Sequence, residues 1–234
     1  NYVDIAQFFL ANGYFEDAFR PPVYPLFVAL CQAIGGDTAT PVRVGHALIS
    51  TGAGAVLYTW LRGHAGHRGA LVSTALWCLY PVLIGFTHLL WSETVFLSLL
   101  IFFFALAFPA GELSMRRTAA AAFVYGLASL TRSVLLPFTP FAALFVLARS
   151  QSWQLRPKHW GRLALFLAMV GASVFPWSLH NRVTEGTWVV NETTHGYNLW
   201  KGNTPWIHPY SVTGPRYPGP FKSIPMFPYE GSGN

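Results

Sequence analysis

Charge is scarce in this 234-residue chain: Asp, Glu, Lys and Arg make up 10% of it, and only nine residues are acidic. Soluble domains carry about 25% charged residues, so an ordinary water-facing surface is excluded. Cysteine is almost absent. The two present, Cys31 and Cys78, lie inside apolar runs, which rules out a disulfide framework. Several chemistries have no signature: there is no nucleophile elbow, no phosphate-binding glycine loop and no dinucleotide fingerprint. His46, His64, His67 and His88 lack the spacing of a zinc site. No signal peptide and no solenoid repeat is visible.

Apolar sequence fills the space that charge leaves. Hydrophobic residues reach 53%, which predicts an all-α integral membrane protein. The expected form is a multi-spanning helical bundle with juxtamembrane helices and an extramembrane loop region. The formal charge of +6 is carried in short basic clusters between apolar runs, a topology signal and not a nucleic-acid footprint. Residues 1–36 read as an outer loop with juxtamembrane helices, since the apolar stretch closed by Gly35 and Gly36 is about 14 residues long against the roughly 20 a span needs. Residues 37–179 read as the transmembrane bundle, with runs at 44–61, 70–86, 95–108, 119–130, 134–147 and 163–179. Residues 180–234 read as an outer-face loop region continuing into a longer protein, with a short strand around 187–190.

The basic clusters set the topology. Arg62 to Arg68, Arg116 with Arg117, and Arg149 to Arg162 all fall on the cytoplasmic side if the positive-inside rule holds loop by loop. Arg20, Glu93, Arg132 and His180 then share the opposite, extracytoplasmic face of the cell membrane. Glu93 is the one acidic residue between Asp37 and Glu112. An ion in apolar surroundings costs several kcal/mol, so it is expected to be paired, interfacial or functional. One alternative is structural, with Ser92 capping a helix and Glu93 complementing its dipole. Arg20, ahead of two prolines, and Arg132, between two short helices, offer planar forks to phosphate oxygens; snorkelling to headgroups is the alternative. The sequon at Asn191 carries no meaning without a host.

An ordered set of segments then resembles the GT-C glycosyltransferases that use polyprenyl-phosphate sugars, the group containing lipid A aminoarabinose transferases and protein O-mannosyltransferases. The set comprises Tyr2 and Ala6, RPPVYPLFVAL at 20–30, LLWSETVF at 89–96, GLASLTRSVLLPFTP at 126–140, PWSLHN at 176–181 and GYNLWKGN at 196–203. The resemblance implies inverting transfer of a sugar from a polyprenyl-phosphate donor to a lipid, glycan or protein acceptor. It implies membrane lipids as surroundings, no nucleic-acid partner, and a divalent metal that is optional. It assigns the lipid phosphate to Arg20, Arg132, Tyr24 and His180, although the family tends to have Arg at the place of His180. The catalytic role falls to Glu93 and Asp4, with the family's main carboxylate placed before Asn1. Asn198, Trp200 and Asn203 go to a donor or acceptor loop. A transporter or lipid flippase is the competing class, weakened by the lack of repeat symmetry.

Overall fold

A computed structural model describes residues 2–16, 20–148 and 157–193, and contacts gather residues 1–193 into one unit. Within the described residues the chain is helical throughout, without strands. The elements are α1 (Tyr2–Asn12), α2 (Val23–Gly35), α3 (Ala39–Leu79), α4 (Pro81–His88), α5 (Glu93–Ala107), α6 (Met115–Ser129), a 3-10 turn (Ser133–Phe138), α7 (Thr139–Ala148) and α8 (Pro157–Glu185).

Breaks follow the residues that cannot continue a helix. Pro21 and Pro22 precede α2, Pro81 opens α4, and Pro137 sits in the 3-10 turn where two apolar runs meet. The sharpest break is Gly66, at φ +70° inside α3, a conformation that glycine takes without penalty. In an unbroken helix Ser50 and Trp77 would stand about 40 Å apart, yet Trp77 Nε1 donates to the Ser50 carbonyl at 3.0 Å. α3 is therefore a helical hairpin whose limbs meet through Gly54 and Trp77. Its tip is the basic cluster Arg62 to Arg68.

That tip marks one end of the bundle. Trp60 Nε1 donates to the Phe108 carbonyl at 2.8 Å, and Gly63 faces Ala110, so the hairpin tip adjoins the loop leading to Arg116 and Arg117. The other end gathers the foot of α3 and the α4–α5 turn. Arg43 Nε donates to the His88 carbonyl at 3.1 Å, and His46 Nδ1 meets the Thr87 carbonyl at 3.3 Å.

Beside an apolar core, large apolar side chains also cover the outside, and several small polar ones are enclosed. Leu48, Leu76, Leu79, Phe141 and Phe145 face outward, whereas His46, Ser98, Thr118, Ser129 and Asn181 are fully buried. So much apolar exterior is unlike a water-soluble domain and suits a hydrocarbon environment. By length and composition, one described helix, Trp160–Glu185, is able to cross a membrane alone. Ala39–Leu79 and Pro81–His88 pass together across a 48° bend, and Val23–Gly35, Glu93–Ala107 and Ser133–Val146 are shorter apolar helices.

The central packing joins α5, α6 and α8 through Phe103, Tyr125 and Phe166. It depends on Gly126, where a Cβ would stand 2.5 Å from Ser173 Cβ. Ser173 cannot swing aside freely, because its hydroxyl donates to the Met169 carbonyl at 2.8 Å. Small residues allow this close approach of helices in membranes. Gly126→Ala is expected to cost about 1–3 kcal/mol by overpacking, seen as a lowered denaturation midpoint in detergent micelles.

Candidate active site

The site forms where α5 begins: Ser92 precedes the helix and Glu93 opens its first turn, ahead of the apolar run. Ser92 does not act as the expected cap. It lies in αR conformation without a side-chain capping bond, and its hydroxyl instead accepts from Arg132 Nη1 at 3.4 Å. The same Nη1 forms an ion pair with the Glu93 carboxylate. The Arg132 and Glu93 side chains are 39% and 25% exposed, so both reach the surface at this end and the guanidinium keeps donors for a further anion.

Arg132 is presented by a fixed turn. α6 ends at Ser129, the amides of Thr131 and Arg132 both bond the Ala128 carbonyl, and Arg132 takes an extended backbone that caps the 3-10 turn. The turn also holds the start of α2, because the Val23 amide donates to the Leu130 carbonyl at 3.1 Å. This bond brings the Arg20 segment to Arg132 from far along the sequence.

Arg20 heads an aromatic column. Its guanidinium carbon lies 5.5 Å from the Tyr2 ring centre, Tyr2 meets Tyr24 edge-on at 4.7 Å, and Tyr24 stacks on His46 at 5.8 Å. The cation–π contact and the prolines hold Arg20 at a set depth. Tyr24 is fully buried and its hydroxyl faces the field of Glu93. His46 is the site-end residue that sequence reasoning passed over. A carbonyl can only accept, so His46 Nδ1 carries the proton toward Thr87, and Nε2 turns its lone pair inward. Among the described residues neither Nε2 nor the Tyr24 hydroxyl has a hydrogen-bond partner. Two stacked, buried polar groups without partners among the described residues are a stronger functional signal than histidine spacing was.

Asp4 and His180, two further expected residues, lie on α1 and α8. Asp4 lies exposed in the first turn of α1, two positions beyond Tyr2. His180 stacks on Trp177 at 5.0 Å and lies 6.4 Å from Phe15, so its ring joins an aromatic cluster at the end of α8. Asn198, Trp200 and Asn203 lie outside the described residues. Among the described residues, no group of three or more His, Cys, Asp and Glu side chains is placed to hold a metal ion.

The expected strand around 187–190 is not formed. α8 instead runs to Glu185, Gly186 turns the chain at φ +69°, and residues 189–191 fold back along α8. Their carbonyls are captured by side chains: Asn181 Nδ2 to Val189 at 3.0 Å, Ser178 Oγ to Val190 at 2.7 Å, and Trp177 Nε1 to Asn191. A strand needs a neighbour in a ladder, and here helix side chains take the carbonyls first. Asn191 is 3% exposed and its Nδ2 donates to the Ser129 carbonyl at 2.7 Å. That nitrogen is the atom a glycan would occupy. Expressed in a glycosylating host, folded protein should show no glycosidase-sensitive mobility shift at Asn191.

An apolar-surfaced helical bundle with an arginine–carboxylate pair at one end fits a membrane-embedded protein. Residues 19–177 match the family described as dolichyl-phosphate-mannose-protein mannosyltransferase, and the chain belongs to that family. It is thereby a membrane glycosyltransferase of the GT-C type. No curated protein matches the chain, and no solved structure does.

Proposed function

We propose that the chain transfers a sugar from a polyprenyl-phosphate carrier to an acceptor hydroxyl on a lipid, glycan or protein, at the membrane face where Glu93 and Arg132 meet. The observation that carries this reading is the Glu93–Arg132 pair, set at the end of the bundle opposite the basic hairpin tip. The bundle is read as multi-spanning, with each limb of α3 a separate crossing, and the Glu93 end as extracytoplasmic by the positive-inside rule.

The reaction follows from the charges. Glu93 accepts the proton of the acceptor hydroxyl, the acceptor oxygen attacks the anomeric carbon, and the bond from that carbon to the phosphate oxygen breaks. The electron pair leaves with the polyprenyl phosphate. Arg132 and Arg20 meet the charge that grows on it, so the leaving group needs no proton. A single displacement inverts the anomeric centre. Asp4 is the second carboxylate of this reading, Tyr24 and His180 line the approach of the lipid phosphate, and Asn198, Trp200 and Asn203 belong to the substrate loop.

Because the family description names dolichyl-phosphate mannose, mannose on a polyprenyl phosphate is the first donor to test. Purified protein in detergent should release polyprenyl phosphate from that donor only when an acceptor hydroxyl is supplied. Uptake into vesicles without glycosyl release would replace the enzyme by a transporter.

A further inference from the structure

Residues 189–193 have no part in the reaction above, yet they hold its arginine from both sides. Having been fastened to α8 by three captured carbonyls, the strap reaches across to the turn that presents Arg132. Asn191 Nδ2 bonds the Ser129 carbonyl before Arg132, and the Glu192 carboxylate accepts the Ser133 hydroxyl after it. Ser129, Ser133 and Asn191 are all buried, so the two grips are shielded from competing water. The Leu135 amide closes the turn onto the Arg132 carbonyl at 3.3 Å. Consecutive strap side chains thus bracket a single guanidinium-bearing residue.

We infer that Glu192 is a positioning residue of this site: by holding Ser133 it fixes the direction in which Arg132 offers its guanidinium to the donor phosphate. The inference rests on the transferase reading, in which Arg132 meets the phosphate. Ser133 both donates its hydroxyl to the strap's Glu192 and opens the 3-10 turn. Loosening it frees the backbone next to Arg132 without touching the Arg132–Glu93 pair.

Two readouts test this on the full chain in detergent. Amide hydrogen exchange reports the clamp whether or not any sugar is transferred. Glu192→Ala and Ser133→Ala should each raise exchange across residues 131–135 by about tenfold or more, with the α5 amides unchanged. Transfer from polyprenyl-phosphate mannose reports the positioning. Glu192→Ala should lower kcat/KM by about tenfold to a hundredfold, while Glu192→Gln, whose amide oxygen still accepts from Ser133, restores most of it. In an Arg132→Ala background Glu192→Ala should cost nothing further, because it acts through that arginine. Additive losses, or Glu192→Gln as damaging as Glu192→Ala, would overturn the inference and make the carboxylate charge itself the agent. Unchanged exchange in both variants would overturn it as well. Should Glu192→Ala fail to fold, Ser133→Ala carries the same two readouts. Wild-type protein that transfers from no donor would sink the transferase reading, while the exchange data would still decide the clamp.

Discussion

Arg132→Ala is expected to lower transfer by about a hundredfold to a thousandfold in kcat, the usual cost of removing one preorganised donor from a developing oxyanion. That range corresponds to about 3–4 kcal/mol of transition-state stabilisation. The size follows from where the guanidinium stands. It is carried on a turn whose neighbouring amides are bonded to Ala128 and whose Leu130 carbonyl is bonded to Val23, so little reorganisation is needed when charge appears on the leaving phosphate. Arg132→Lys should recover only part of the loss, because an ammonium lacks the planar fork that serves Glu93 and a phosphate together. Removing Arg132 also leaves Glu93 without its cation. The denaturation midpoint should therefore be measured beside kcat, and Arg132→Ala combined with Glu93→Gln should regain stability without regaining turnover. A kcat near wild type in Arg132→Ala would remove this arginine from the reaction.

Glu93→Gln is expected to lower kcat by about a hundredfold to ten-thousandfold, the range for loss of a positioned general base. The same substitution should leave the donor KM unchanged or lower it. In the structure the carboxylate pairs with Nη1 of the guanidinium that the proposed reaction also offers to a lipid phosphate. A carboxylate and a phosphate compete for one arginine, and an amide competes poorly. A merely structural Glu93, holding Arg132 in place, would give the opposite split: KM would rise and kcat would hold. Titrating donor against wild type and Glu93→Gln separates the two.

How much of this was legible in the sequence differs from residue to residue. The helices were, because apolar runs punctuated by Pro21, Pro81, Pro137 and the basic clusters leave few other solutions. Glu93 and Arg132 were, since isolated charges in apolar sequence must find each other or water. The fold-back at Gly66 was legible as a turn between two apolar runs, though not as a glycine hinge, because the basic residues dominate that signal. The segment at 187–190 misled. Its Thr-Trp-Val-Val pattern has strand propensity, but no partner strand exists among the described residues and α8 side chains take its carbonyls. Nothing in the sequence pointed to His46 or Glu192. The first gains its interest from burial beside Tyr24, and the second from a hydrogen bond to a serine far away in sequence.

The bond from the Val23 amide to the Leu130 carbonyl has a consequence for biogenesis. Pro21 and Pro22 have no amide hydrogen, so Val23 offers the first donor after Arg20, and its acceptor is made only after five more helices have been synthesised. Arg132 then waits in turn for the strap at Asn191 and Glu192. Contacts so distant in sequence form late, so the nascent chain inserts its apolar helices with the reactive end still open. The site closes only when synthesis has passed the end of α8, and a chain arrested before residue 189 should sit in the membrane, helical and inert.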